Sequence, residues 1–202
     1  LYHYWMILLL GVILGAAGAF YNFCIAKSQQ FYGKVKWKNT FVKMLLPFFA
    51  AGMLGFTLPQ VLGGGHQLVG AISGYQFGLG MLAVILAVKF LFSMLSFGSG
   101  APGGIFLPLL VIGALIGGCF GMVVLPLAGL DAGYLQNFVM LAMAGYFSAI
   151  VRAPITGIIL INEMTGSFTE LLSISVVSLT AYIVADLLKS VPVYDQLLAR
   201  LI

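Results

Sequence analysis

Between Lys89 and Asp131 the chain carries no charged side chain, yet this apolar stretch is broken at its centre by Gly98-Ser99-Gly100-Ala101-Pro102-Gly103-Gly104-Ile105-Phe106-Leu107-Pro108. At membrane depth, irregular backbone is tolerated only where it is buried in protein or lines a cavity. A helix that begins there aims unpaired N–H groups and the positive end of its dipole into that cavity. The arrangement is a means of holding an anion without a cation.

Composition supports the membrane setting. Hydrophobic residues make up 62% of the 202 and charged residues 7%, whereas a soluble domain carries about 25% charged residues. The chain therefore reads as an all-α integral membrane protein in contact with a lipid bilayer. Lys27, Lys34, Lys36, Lys38 and Lys43 crowd one inter-helix segment, and Lys189 and Arg200 flank the C-terminus. The positive-inside rule puts both regions on the cytoplasmic side. Tyr32, Val35 and Trp37 interleave the lysines, and membrane helices flank the run, so nucleic acid is not an expected partner. Cys24 and Cys119 sit inside apolar segments at no metal-ligand spacing and read as packing residues. The chain starts at a leucine and enters an apolar helix at once, so it is expected to be a piece of a longer protein.

Apolar runs at residues 4–26, 41–58, 77–97 and 105–127 suit membrane spans, which need about 20 residues. Gly11, Gly15 and Gly18 in the first, and Gly113, Gly117 and Gly121 in the last, offer small faces for close helix approach. Gly63-Gly64-Gly65-His66 breaks the chain before a short helix over 67–72. Residues 136–151 read as short for a span and end at Arg152-Ala153-Pro154; 155–164 is shorter still, 171–188 follows, and 194–202 forms a last helix. Short, glycine- and proline-interrupted segments among full spans point to a transporter core of discontinuous helices. No internal repeat is evident.

Gly103 and Gly104 let backbone approach a ligand closely, and Pro108 falls in the first turn of the next helix, where its missing N–H costs little. The amides of Ile105 and Phe106 are then free donors at a helix start. Their side chains exclude water without adding charge, which suits conduction, because an ion must also leave. A plain helix–helix turn inside the bundle is an equal reading of these residues on composition alone.

The spelling of several motifs separates the two. Gly104-Ile105-Phe106-Leu107-Pro108 resembles the Gly-x-Phe-x-Pro selectivity-filter motif of the CLC chloride channels and chloride/proton exchangers. Gly63-Gly64-Gly65, Arg152-Ala153-Pro154-Ile155-Thr156-Gly157, Ile161-Asn162-Glu163-Met164-Thr165 and Val191-Pro192-Val193-Tyr194 resemble that family in its order. The resemblance implies the CLC-type fold, with this chain as the second of two inverted-topology halves built from discontinuous, tilted helices (J to R in the family's lettering). It implies anion transport, most simply of chloride, in a multi-pass protein of the cell membrane. The main-chain amides of Ile105 and Phe106 and the Tyr194 hydroxyl would contact the anion. No cofactor or metal is expected beyond chloride as permeant ligand. The implied partners are the missing N-terminal half of the subunit and a second subunit in a homodimer, with the run over 171–188 helping to form the interface.

Ser99 lies in a Gly-Ser-Gly, but at the wrong place in the fold for the family's anion-binding serine, so that role is not transferred. The family's gating and proton-relaying glutamates have no counterpart in this sequence, which leaves channel and exchanger undivided. Glu163, at a helix end, reads as a backbone hydrogen-bonding partner or a proton-handling group. Lys89 and Arg152 are expected to pair with acids or reach water, and His66 to be a loop residue. Glu170 and Asp186 mark the edges of the 171–188 run. Two other functions fit parts of the sequence: a non-conducting half acting only in assembly, and an intramembrane serine protease using Ser99 and His66. The second needs a base beside its nucleophile, and Phe97 stands where a rhomboid-type signature has glycine.

Overall fold

The computed structural model describes residues 4–35, 40–63, 65–100, 103–166 and 169–199, apart from the side chains of residues 40 and 66. Lys36, Trp37, Lys38, Gly64, Ala101, Pro102, Arg200 and the His66 side chain, all singled out above, lie outside the described residues. The described elements are α1 (Tyr4–Lys34), α2 (Thr40–Thr57), α3 (His66–Ser73), α4 (Leu79–Ser99), α5 (Phe106–Ala128), α6 (Leu135–Val151), α7 (Pro154–Thr165), α8 (Leu171–Leu187) and α9 (Val193–Leu198). Single tighter turns precede α3 and α6.

Four of these are long and apolar enough to cross a membrane: α1, α4, α5, and α6 with the turn before it; α2 and α8 are shorter apolar helices. With 12 residues, α7 extends only about 18 Å, well under the roughly 30 Å of hydrocarbon. The discontinuous pattern is thus present.

Two expectations about length are corrected. α1 does not stop near residue 26 but runs on to Lys34, so Lys27 and Lys34 lie on the helix and Lys43 on α2, not in one loop. The apolar pattern ends where the packing does not. Ser28 donates its hydroxyl to the Met94 carbonyl at 2.7 Å, Tyr32 is buried, and a methyl at Gly98 would overlap Ser28. This α1–α4 contact carries the helix on for two further turns. The second correction concerns α6, which is not short for a span. With its leading turn it runs over Ala132–Val151, 20 residues, and is the most buried of the spans. Its small residues, Ala142, Ala144, Gly145, Ser148 and Ala149, let α1, α5, α7 and α8 pack around it.

Glycine rows set those approaches. A Cβ added at Gly113 would lie 2.8 Å from the Ala142 carbonyl oxygen, at Gly117 2.5 Å from both Ala142 Cβ and the Phe138 carbonyl oxygen, and at Gly121 2.6 Å from Leu135 Cδ1. On α1, Gly11 and Gly15 meet Thr180 and Val184 of α8, and Gly18 meets Ala149 of α6. Between helices in lipid there is no hydrophobic gain to exploit, so close van der Waals packing of this kind is what holds the bundle.

The Gly63–Gly65 break is also explained by packing. Gly65 has φ +69° and a Cβ there would sit 2.5 Å from Val111 Cγ2 on α5, so both backbone and space demand glycine. Lys89, in the middle of α4, is 2% exposed. Among the described residues it meets no acid; its ammonium donates to the carbonyls of Val61 and Gly63. The cation ties α4 to the turn that breaks the chain, where the helix-free carbonyls need donors. Lys89→Met is expected to leave both carbonyls unpaired at a cost of about 2 kcal/mol. A melting temperature lowered by roughly 4–8 °C in a detergent thermal scan would show it.

Candidate functional site: an uncapped helix start

α5 begins at Phe106, with Ile105 in the cap position and no side chain capping it. The Ile105 carbonyl accepts the first helical bond, from the Leu109 amide at 3.2 Å. Among the described residues the amides of Ile105, Phe106 and Leu107 have no acceptor, and Pro108 contributes no donor. A helix start of this kind carries about half a positive charge. Ile105 is buried, and Phe106 is half-buried with its ring edge-on to Phe147 of α6 at 5.4 Å between centroids. Leu107 is exposed. Gly103 and Gly104 are exposed, and a methyl on either would meet nothing within 4 Å. Packing among the described residues therefore does not require those two glycines; the space before the amides does, if something is to approach them closely.

Tyr194 lies in the first turn of α9 and is 46% exposed. Among the described residues no hydrogen bond engages its hydroxyl, and the structure does not join it to the α5 amides. Both elements are nonetheless attached to the same end of α6. Phe106 rests on Phe147, while one turn further on the Ile150 carbonyl accepts Nδ2 of Asn22 at 3.2 Å, and the same Nδ2 donates to Ser190 Oγ at 3.1 Å, four residues before Tyr194.

Arg152 follows α6 in the left-handed conformation, φ 65°. Its guanidinium meets Asp186 at 3.0 Å, as expected of a basic residue at a helix break, and its ring contact is with Tyr182, 5.4 Å to the centroid. It also donates to the carbonyls of Tyr182 (3.3 Å), Ala185 (2.7 Å) and Ser190 (2.9 Å). Asn22 and Ser190 were not singled out in the sequence. An asparagine inside a long apolar helix was the available signal, because a buried amide must find partners.

Of the remaining polar residues, Glu163 is exposed on α7. Ser99 is buried and its hydroxyl donates to the Ser96 carbonyl at 2.7 Å, the engagement of a helix-end serine. Glu170 occupies the cap position of α8 and accepts from Asn137 at 3.3 Å, and Asp186 lies in its last turn. Cys24 and Cys119 are free and partly buried. Among the described residues no group of three or more His, Cys, Asp or Glu is placed to hold a metal ion.

Comparison with known proteins gives the arrangement its relatives. The sequence profile described as voltage gated chloride channel matches residues 1–186. The chain is 34% identical, over 97% of its length, to an H(+)/Cl(-) exchange transporter ClcA of Klebsiella pneumoniae, and 35% identical over the same share to a protein of that name from Yersinia pestis. It spans 42% of the length of these curated relatives. Among solved structures it superposes on a slow cyanobacterial Cl-/H+ antiporter with a TM-score of 0.88 at 28% identity, covering 99% of this chain and 47% of the other. A eukaryotic CLC transporter shares the fold at a TM-score of 0.80 and 20% identity, over 96% of this chain and 34% of the other. The helical architecture is the all-α CLC fold, the protein is a membrane protein, and the chain belongs to the voltage gated chloride channel family.

Proposed function

We propose that this chain forms the second half of a subunit that carries chloride across a membrane, coupled to protons as the names of its relatives describe, in the cell membrane and as a homodimer. The anion is held by the amides of Ile105 and Phe106 within the Gly104-Ile105-Phe106-Leu107-Pro108 loop, and by the Tyr194 hydroxyl. Gly104 leaves room for close approach, and Leu107 and Pro108 complete an apolar first turn. The first half of the subunit supplies the rest of the pathway and the proton-carrying groups; the activity needs no cofactor and is transport, not enzymatic turnover. α8 contributes to the subunit interface.

One observation carries this reading: a helix start in an apolar setting whose first three amides have no acceptor and no capping side chain. An uncharged donor set binds chloride while letting it go, which a lysine at the same place would not. Tyr194 fits the second donor role because its O–H is uncommitted among the described residues while its ring stays apolar.

The test is transport by the chain assembled with a first half of the family in proteoliposomes. An outward chloride gradient should drive chloride efflux together with proton uptake, read by a chloride electrode and a pH electrode. Absence of chloride flux from protein that is folded and correctly assembled would overturn the proposal. Within it, Tyr194→Phe is expected to weaken chloride binding about 10- to 100-fold by calorimetry, the worth of one hydrogen bond to a charged partner.

A further inference from the structure

The described segment that leads into Tyr194 is tied down at nearly every residue, whereas the tyrosine itself is not. Lys189, at φ 52°, donates its amide to the Asp186 carbonyl at 2.8 Å, and the Ser190 amide donates to the Ala185 carbonyl at 3.2 Å. The Ser190 carbonyl accepts from Arg152 and its hydroxyl oxygen from Asn22. The Val191 carbonyl accepts from Gln196 Nε2 at 2.8 Å, folding the first turn of α9 back on the strap. Val193 is fully buried. These ties come from three different helices, α1, α8 and α9, and from the α6–α7 junction.

Arg152 is the hub. Its side chain is 11% exposed, so the charge is met by Asp186 and three carbonyls rather than by bulk water. The left-handed position after a helix is usually filled by glycine, because a Cβ is strained there. An arginine persists here, and its side chain engages the carbonyl end of α8 and the strap together. Asn22 adds a second clamp, one amide nitrogen binding Ile150 of α6 and Ser190 of the strap. Since Ile150 is one turn from Phe147, which supports Phe106, the same stretch of α6 sets both donors of the proposed site.

We infer that Arg152, seconded by Asn22 and Ser190, is a positioning residue for the Tyr194 hydroxyl: it fixes the strap over Ser190 and Val191 so that this hydroxyl is held where the anion needs it. The inference rests on the role given to Tyr194 above. A donor held in place by packed and hydrogen-bonded neighbours binds better than one that must be ordered on arrival. Loosening the strap therefore lowers affinity through Tyr194.

The test is a double-mutant cycle in the assembled transporter, read by chloride calorimetry on protein that elutes as a single species. Arg152→Lys keeps the charge but cannot span three carbonyls, and is expected to weaken chloride binding about tenfold, close to the loss on removing one hydrogen bond. Ser190→Ala, a milder change chosen in case the arginine variant fails to fold, is expected to weaken it about threefold, a fraction of one such bond. In a Tyr194→Phe background neither substitution should weaken binding further. A purely structural role would lower thermal stability while leaving affinity unchanged, or would weaken binding equally with and without the hydroxyl; either result overturns the inference and leaves Tyr194 in place. Should Tyr194→Phe alone leave affinity unchanged, the role of the tyrosine itself falls, and the positioning role with it.

Discussion

Phe106→Asp is expected to abolish chloride binding in the assembled transporter. The substitution places a carboxylate on the first helical residue of α5, beside the uncapped amides of Ile105, Phe106 and Leu107. Two penalties act together. A fixed negative charge about 4 Å from a bound anion costs about 4 kcal/mol at an effective dielectric of 20, close to three orders of magnitude in affinity. The new carboxylate, in the first turn of the helix, also takes up the partial positive charge of the helix start and so competes with the proposed anion for it. Phe106→Leu, which forgoes only the ring contact with Phe147, should bind chloride within a few-fold of the parent and serves as the packing control. Calorimetric titration with chloride separates these outcomes. An aspartate variant that binds within tenfold of the parent would remove the α5 amides from the site.

Gly117→Val is expected to prevent the folded bundle from forming. Its Cβ would stand 2.5 Å from Ala142 Cβ and 2.5 Å from the Phe138 carbonyl oxygen, with Val139 Cα at 3.0 Å. Carbon contacts are comfortable at about 3.5–4.0 Å, so α5 and α6 would have to part by roughly 1 Å along their most intimate contact. The obstructing atoms are backbone and the first side-chain carbon, none of which can swing aside. Overpacking a well-filled core costs about 1–3 kcal/mol and occasionally more; with backbone on the far side, the upper end or beyond is expected. Because α6 is the helix that α1, α7 and α8 also pack against, the separation spreads through the bundle. Fluorescence-detected size exclusion should show loss of the monodisperse peak. Gly33→Ala, on the exposed end of α1 where a Cβ meets nothing within 4 Å, should leave it unchanged. A normal peak for Gly117→Val would mean that the α5–α6 interface is not as close as described.

The two predictions rest on features that were legible to different degrees. The start of α5 at the Gly-Gly-Ile-Phe-Leu-Pro loop was readable because a helix stop and start is a local matter of glycine, proline and apolar run length. The face of Gly113, Gly117 and Gly121 was readable because spacing four repeats on one side of a helix. Which helix that face meets was not readable, and α6, read as a short segment, proved to be the centre of the bundle. Its alanines, serine and glycine lower its apparent hydrophobicity while making it the piece that others can approach most closely. The extent of α1 past residue 26 was hidden for a related reason: a serine hydroxyl and a buried tyrosine hold it against α4, a contact 66 residues away in sequence.

Sequence alone determined that the chain is helical, belongs in a membrane and offers a helix N-terminus without charge, since those properties follow from composition, periodicity and the stiffness of glycine- and proline-bearing backbone. Tertiary structure alone decided where the buried cations go. Lys89 was expected to find an acid or water and instead holds the carbonyls of Val61 and Gly63; Arg152 finds Asp186 and then three carbonyls that brace the approach to Tyr194. Every residue presents the same carbonyl, so no residue type marks the ones a cation will use. Only the folded path of the chain, by bringing those few oxygens within reach of a cation, selects them.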